Sequence, residues 1–246
     1  MTERNAVVTG GGKGIGRAVA LRLAADGLRV TVLGRDEAAL TDTAAAAPGR
    51  ITAVVCDVAD EASVMAVFGA LGRVDVLVNN AGVASSAPTG RTSLADWETT
   101  MRVNATGVFL CTRAVIDPMR AAGWGRIVTV ASVASHHGAP YISAYAASKH
   151  AALGFMRSVA AELRRSGVTA NCVCPGYVRS EMTDRTIDNI VGRTGRDAGV
   201  TASGLNSSLG RLIEPDEVAA AVAYLASDAA AAVNGQSLVI DGGDSV

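Results

Sequence analysis

The sequence has almost no net charge and few aromatic residues. Lys and Arg together number 22 against 23 Asp and Glu, so the formal net charge at pH 7 is -1. This balance removes any whole-molecule electrostatic attraction to nucleic acid or to an anionic membrane. Aromatic residues make up only 4% of the chain, too few for a platform on which bases stack. We therefore expect neither nucleic acid nor a membrane among its partners.

Long apolar runs, cysteines and histidines are also scarce. No apolar run approaches the roughly 18 residues of a membrane-spanning helix, and the polar start shows no secretory signal. We expect a cytoplasmic protein. Four cysteines are too few for a disulfide scaffold, and Cys172 and Cys174 are predicted to share one face of a strand. With only three histidines besides, we interpret the thiols as core side chains and expect no metal site.

What the sequence does contain is a regular alternation of short β-branched runs with longer helical segments. Predicted strands cover 5–9, 29–33, 52–56, 74–79, 126–131, 168–174 and 237–240. Predicted helices cover 14–26, 36–46, 60–71, 93–101, 105–122, 145–166 and 215–226. Most of the strand runs are continuously apolar, as in strands covered on both faces. We predict an α/β fold over 1–246: a single doubly wound Rossmann-type domain with a seven-stranded parallel sheet and helices on both faces.

One stretch departs from this alternation. Five glycines within 183–212 are expected to interrupt any helix: Gly192, Gly195, Gly199, Gly204 and Gly210. About thirty residues of such composition inside a compact domain are typical of a functional segment, and we predict a substrate lid there.

A glycine-rich turn follows the first predicted strand. Residues 9–16 read TGGGKGIG and lead directly into a helix. Glycines at this place permit a tight turn and let backbone N–H groups approach a pyrophosphate at the helix N-terminus. The spacing is G-x-x-x-G-x-G and differs from the common G-x-G-x-x-G pattern. We interpret the turn as a dinucleotide-binding loop.

The end of the second predicted strand indicates which dinucleotide is bound. An NAD site usually has a carboxylate there that accepts from the ribose hydroxyls, but here Gly34 stands at that position and Arg35 follows. Together with Lys13 of the glycine loop, Arg35 would favour the 2′-phosphate of NADP. The alternative is that Arg35 is a solvated turn residue and that Asp36 only caps the next helix, which leaves NAD open.

Polar residues also follow the third and fourth strands, at the edge where open α/β sheets bind ligands. Asp57 could accept from an adenine amino group, and the Asn80-Ala81-Gly82 turn would bring backbone close to a nicotinamide ribose. Each of these segments could also be a simple turn.

Tyr145 and Lys149 lie one helical turn apart on one face of a predicted helix. A phenol with its ordinary pKa of about 10 is a poor acid or base, but a nearby ammonium and a nicotinamide cation would stabilise the phenolate. Ser132 ends the fifth strand and can direct a hydroxyl at a substrate carbonyl. Asn104, a mediocre helix former, stands in the helical segment Arg102-Val103-Asn104-Ala105 at the start of the predicted helix 105–122. Each residue alone could have a purely structural role. Their combination with the glycine loop indicates an enzyme that interconverts a carbonyl group and an alcohol.

These motifs together resemble the short-chain dehydrogenase/reductase family over essentially the whole chain. The matching elements, in the family's order, are Thr9-Gly10-x-x-x-Gly14-x-Gly16, Asp57, Asn79-Asn80-Ala81-Gly82, Asn104, Ser132, Tyr145-x-x-x-Lys149, Pro175-Gly176 and Asp241-Gly242-Gly243.

The resemblance implies a role for each matching residue. Tyr145 would exchange a proton with the substrate oxygen, and Ser132 would orient and polarise that oxygen. Lys149 would bind the nicotinamide ribose and lower the tyrosine pKa, Asn104 would hold a water that relays protons, and Pro175-Gly176 would cradle the carboxamide. The expected catalytic residues are Asn104, Ser132, Tyr145 and Lys149. The expected cofactor-binding residues are Gly10, Gly12, Lys13, Gly14, Ile15, Gly16, Arg35, Asp57, Val58, Asn80, Ala81, Gly82, Tyr145, Lys149, Pro175, Gly176 and Val178.

The expected substrate is a small carbonyl compound. Segments 210–218 and 233–236 look like those of bacterial 3-oxoacyl-thioester reductases and polyketide ketoreductases. A thioester on CoA or an acyl carrier would bring a phosphate that Arg179 and Arg185 could meet, unless both are only solvated. His136 and His137 follow Ser132 in the expected substrate loop. Two alternatives stay open: an NAD-dependent secondary-alcohol or hydroxyacyl dehydrogenase, and a catalytically silent nucleotide-sensing protein.

The small apolar side chains of several helices predict a homotetramer. Helices 105–122 and 145–166 would form one interface around a two-fold axis, and segments 219–226 and 238–240 would form a second. The family resemblance points the same way. The alternative is that these alanines pack the helices onto their own sheet.

Overall fold

A single parallel sheet of seven strands runs through the protein. The structure is a computed structural model, and it describes residues 3–195 and 197–245. The strands are β1 (Asn5–Thr9), β2 (Arg29–Gly34), β3 (Ile51–Val55), β4 (Val76–Asn79), β5 (Gly125–Val130), β6 (Val168–Pro175) and β7 (Ser237–Ile240). Their spatial order is β3-β2-β1-β4-β5-β6-β7, and every neighbouring pair is parallel.

The described residues form nine α-helices, and those that pack on the sheet lie on both of its faces. The nine helices are α1 (Gly14–Ala25), α2 (Glu37–Ala45), α3 (Glu61–Leu71), α4 (Leu94–Met101), α5 (Gly107–Ala122), α6 (Ser143–Glu162), α7 (Glu181–Thr194), α8 (Ala198–Ser203) and α9 (Pro215–Ala226). The predicted fold class is confirmed. No helix of residues 3–195 and 197–245 is long and apolar enough to cross a bilayer.

Two apolar cores form, one on each face of the sheet. Successive strand residues point to opposite faces, so Val7 belongs to the core under α3, α5 and α6, whereas Val8 belongs to the core under α1 and α9. The central strands β4, β5 and β6 are buried along their whole length. This double burial explains why their sequences are mostly apolar.

Two predicted segments differ from the structure. The expectation that glycines interrupt any helix within 183–212 is wrong, because α7 and α8 fold there. Gly192 lies inside α7, and Gly195 ends that helix with a left-handed φ of 65°, a common use of glycine after a helix. The predicted helix 105–122 begins at Gly107 and follows a π-helical turn, Arg102–Thr106.

The strand order determines where a ligand can bind. The chain moves outward from β1 to β2 and β3, then returns to place β4 on the other side of β1. The connections after β1 and β4 therefore leave the sheet in opposite directions, and a crevice opens at their carboxyl ends. The residues after β5 and β6 lie at the same edge, because all the strands are parallel.

Candidate active site

Hydrogen bonds join the end of β1 to the end of β4. The Thr9 hydroxyl oxygen accepts from the backbone N–H groups of Asn80 (2.9 Å) and Ala81 (3.0 Å). In return, Asn80 Nδ2 donates to the carbonyls of Thr9 (2.9 Å) and Gly10 (3.1 Å). The Asn80 side chain thus fixes the glycine loop. Thr9 belongs to the sequence motif but was not expected as a site residue, because its role depends on a strand 69 positions away.

The glycine loop has the shape that a pyrophosphate requires. Gly10 and Gly14 have φ angles of 64° and 51°, and a Cβ on Gly16 would lie 2.1 Å from the Gly10 carbonyl oxygen. Helix α1 then begins at Gly14. Within the described residues no side chain caps this helix, whose preceding residue is Lys13. Its first N–H groups therefore point toward the crevice without a side-chain acceptor, and they fit the phosphates of a dinucleotide.

Ser132 and Tyr145 lie together at the end of β5. The Ser132 Oγ accepts from the backbone N–H of Ala134 at 3.1 Å, which holds its side chain in place. The Tyr145 hydroxyl lies close enough to this side chain to interact with it. Burial raises the pKa of Tyr145, and the interaction with the Ser132 hydroxyl opposes that rise. The family resemblance implies a lowered tyrosine pKa, whereas desolvation dominates in this structure.

Lys149 is a buried ammonium one turn beyond Tyr145. Its Nζ donates to the carbonyl of Val130 at 2.9 Å and lies 5.7 Å from the centre of the Tyr145 ring. Desolvation lowers the pKa of Lys149 to about 8. The side chain therefore stays mostly protonated at neutral pH, although proton release there is far easier than from a solvated lysine.

Asn104 lies in the π-helical turn and connects the loop after β4 to α6. Its Oδ1 accepts from the backbone N–H of Val83 at 2.8 Å, and its Nδ2 donates to Ser148 Oγ at 3.0 Å. The Ser148 hydroxyl in turn donates to the Tyr145 carbonyl at 2.7 Å. Sequence reasoning assigned no role to Ser148, although it stands inside the Tyr145–Lys149 motif. Its contact with Asn104 makes it a positioning residue for the catalytic helix.

Gly82 lies between the two polar groups of this network. A Cβ at this position would be 3.3 Å from Asn104 Oδ1 and 3.6 Å from Lys149 Nζ. The missing side chain thus keeps open the space that the amide and the ammonium share. A water relay between them stays a prediction.

Several of the expected cofactor residues can contribute only their backbone. Val58 and Val178 are buried, and their side chains belong to the apolar cores; Ile15 is partly buried against the core under α1. Gly176 N–H donates to the Ile240 carbonyl at 3.0 Å, which fixes the turn after Pro175. Asp57 caps its own turn by accepting from the Ala59 N–H at 2.9 Å and keeps a second carboxylate oxygen for other donors.

Other candidates are not brought together with Tyr145. Arg179 Nε lies 3.0 Å from a carboxylate oxygen of Glu214, and Arg185 pairs with Glu181 at 3.4 Å. Both arginines are therefore ion-paired with carboxylates, which weakens their expected role as phosphate ligands. His136 and His137 line a cavity of about 540 Å³ whose other walls include 239–243, at the end of β7. Burial lowers the pKa of His136.

Comparison with known proteins gives full-length matches. Residues 4–190 match the sequence profile described as short chain dehydrogenase. A D-threitol dehydrogenase from Mycolicibacterium smegmatis is 40% identical, with 97% of this chain and 91% of that protein covered. A 3-oxoacyl-[acyl-carrier-protein] reductase from Synechocystis is 37% identical, with 99% and 97% covered. The crystal structure of an actinorhodin polyketide ketoreductase variant with NADPH is 37% identical and superposes with a TM-score of 0.92 over 98% of this chain and 97% of that chain.

The desolvation of Lys149 predicts a specific dependence of stability on pH. Its pKa is about 8 in the folded protein against an ordinary value of 10.5, so the unfolded chain binds more protons between these pH values. The free energy of unfolding should therefore rise with pH in this window, by at most about 1.4 kcal/mol per pH unit. Lys149→Met removes the group, and its urea unfolding free energy should rise less steeply from pH 8 to about pH 10.

The other lysine of the chain provides the control. Lys13 is exposed and its pKa is raised by carboxylate partners, so Lys13→Met should keep the wild-type slope below pH 10. Parallel pH profiles for the wild-type protein and Lys149→Met would contradict the assigned desolvation.

Proposed function

Because the chain belongs to the short chain dehydrogenase family, we propose that it is an oxidoreductase that interconverts a carbonyl group and a secondary alcohol with NADP(H). The observation that carries the proposal is the placement of Tyr145, whose hydroxyl interacts with Ser132 and whose ring centre lies 5.7 Å from the buried ammonium of Lys149, one helical turn away. A bound nicotinamide dinucleotide supplies or accepts the hydride. The residues of this chain position the substrate and move the proton.

The raised pKa of Tyr145 suits carbonyl reduction. A phenol with a raised pKa keeps its proton at neutral pH and can donate it to the oxygen of a substrate carbonyl. Ser132 is held by Ala134 and can polarise the same oxygen. Lys149 and Asn104 line the space beside Gly82, where Asn104 would hold a water that relays a proton between Lys149 and solvent. These groups can therefore supply the proton that reduction of a ketone requires, and the same groups can accept it in the reverse reaction.

The substrate that we propose is a ketone or a 3-oxoacyl thioester. The relatives named 3-oxoacyl-[acyl-carrier-protein] reductase and polyketide ketoreductase support this class. The ion pairs of Arg179 and Arg185 favour a free ketone over a substrate on CoA or an acyl carrier. The relative named D-threitol dehydrogenase supports the second candidate, an NAD-dependent alcohol dehydrogenase with the same catalytic residues.

NADP is the cofactor that we assign, on the chemistry at the end of β2. Gly34 supplies no carboxylate at the position where NAD sites usually have one. Arg35 follows it, is exposed, and within the described residues has no ion-pair partner. A guanidinium in this place suits a 2′-phosphate. The NADPH in the structure of the related ketoreductase supports the assignment.

A panel of ketones and 3-oxoacyl thioesters with NADPH and NADH tests the reaction. Loss of the reduced nicotinamide absorbance is the readout. Tyr145→Phe should lower kcat by about 10² to 10⁴, since it removes the proton donor, and should leave the Kd for NADPH nearly unchanged. Tyr224→Phe, an exposed tyrosine on α9, is the control. Wild-type kcat in Tyr145→Phe would exclude this role, and a protein that binds NADPH but reduces nothing would favour the nucleotide sensor.

Arg35→Ala tests the cofactor assignment. The variant should weaken NADPH binding by about 1.5 to 3 kcal/mol, or tenfold and more, because a charge-assisted contact is lost. The Kd for NADH should change little, since NADH lacks the 2′-phosphate. Fluorescence titration measures both constants, and Arg22→Ala at the far end of α1 is the matched control. Equal losses for the two cofactors would refute the NADP assignment.

We also propose that the protein is a cytoplasmic homotetramer. Phe109 of α5 is exposed and packs against Phe155 of α6, with ring centres 5.8 Å apart, so these helices offer an apolar face. Leu238 and Val239 of the edge strand β7 are exposed as well. Two separate apolar faces suit a dimer of dimers.

Light scattering coupled to size exclusion measures the assembly. The expected mass is about four times the 24.9 kDa of the chain. A mass near that of one chain would refute the proposal, and twice that mass would leave only one of the two interfaces.

A further inference from the structure

Two carboxylates share the ammonium of Lys13. Its Nζ lies 3.2 Å from Asp36 Oδ2 and 3.5 Å from Glu181 Oε1. Both carboxylates raise the pKa of Lys13, and the hydrogen bond with Asp36 is the largest cause. Glu181 has a second cation, Arg185, at 3.4 Å, so Asp36 is the principal partner of Lys13. The sequence analysis expected Lys13 to favour the 2′-phosphate of NADP. In the structure its ammonium is already paired with carboxylates.

Lys13 and Asp36 are held together by the packing of the glycine loop against α2. A Cβ on Gly12 would lie 3.0 Å from the Ala39 Cβ, and the Thr43 hydroxyl donates to the Gly12 carbonyl at 3.2 Å. Asp36 itself caps α2, because its Oδ1 accepts from the Ala39 N–H at 3.1 Å. The ion pair therefore joins two segments with fixed positions, and Arg35 lies beside it.

We propose that Asp36 is a specificity-determining residue that weakens the preference for NADP(H) over NAD(H) by occupying the ammonium of Lys13. This inference rests on the proposed function. A 2′-phosphate would have to compete with the Asp36 carboxylate for Lys13, whereas the ribose hydroxyls of NAD(H) carry no charge and lose little from that competition. The ion pair between Asp36 and Lys13 thus reduces the additional affinity for NADP(H) that Lys13 provides.

The charge of Asp36 can be removed while the side chain at this position still caps α2. Asparagine and serine both cap helices through a side-chain oxygen, so Asp36→Asn and Asp36→Ser should fold as the wild-type protein does. Lys13 and Asp36 are 52% and 56% exposed, so solvent screens their interaction. We expect an effect in the range of exposed ion pairs, about two- to fivefold in a dissociation constant.

Fluorescence titrations at low salt give the Kd values for NADPH and NADH. In Asp36→Asn and Asp36→Ser, the Kd for NADPH should fall about two- to fivefold and that for NADH should stay constant. High salt should reduce this improvement in NADPH binding, because it screens the charges. Asp26→Asn is the matched control: Asp26 is 42% exposed and pairs with Arg22 at 3.0 Å, at the opposite end of α1, and its loss should change neither constant.

A double-mutant cycle tests whether Asp36 acts through Lys13. In the Lys13→Met background, Asp36→Asn should no longer improve NADPH binding. If Asp36→Asn improves NADPH binding equally with and without Lys13, Asp36 repels the phosphate directly and the inference is wrong. The inference is also wrong if the Kd values for NADPH and NADH change equally, or if neither changes. A wild-type protein that binds neither dinucleotide would instead overturn the proposed function.

Discussion

The close approach of the end of β1 to the end of β4 determines where the other groups of the site lie. A Cβ on Gly10 would lie 2.9 Å from the Ala81 Cα, so only glycine fits there, and Asn80 adds two hydrogen bonds across the same contact. The contact directs the start of α1 into the crevice. It also turns the chain after β4 so that Gly82 comes under the Lys149 ammonium. One steric constraint thus positions both halves of the site.

A second level of organisation is the buried polar network behind the reacting groups. Lys149, Asn104 and Ser148 are all buried, and each has a hydrogen-bond partner, so none is left with an unsatisfied polar group of the kind that destabilises a core. Their partners are mostly backbone carbonyls and N–H groups. Such partners move little, so the polar side chains are held ready at fixed positions before any substrate arrives.

The sheet and the placement of Tyr145 and Lys149 on one helix face could be predicted from the sequence, because they depend on local signals. Continuous apolar runs identified all seven strands to within about two residues at each end. The one-turn spacing of Tyr145 and Lys149 identified one face of a helix that the structure confirms. These signals are short-range in sequence, and a parallel sheet brings strand ends together whatever the details of their packing.

The features that sequence reasoning missed lie at positions where tertiary contacts override or add to a local preference. Gly192 sits inside α7 with open space around it, so its low helix propensity costs little compared with the capping of that helix by Ser180. The Tyr145 pKa depends on burial, which no motif reports. The partners of Lys13 lie 23 and 168 positions further along the chain, and only the folded structure brings them to one ammonium.

The π-helical turn at Arg102–Thr106 also affects the helical rod that contains it. One additional residue in a turn shifts the angular position of everything beyond it by about 100°. Helices α4 and α5 are joined without a break in helical backbone but differ in phase, so the apolar stripe of one does not continue into the other. With this extra residue, Asn104 faces Ser148 in the site while α5 still packs its apolar residues on the sheet. One additional residue therefore allows the same helical segment to contribute to the core and to the site.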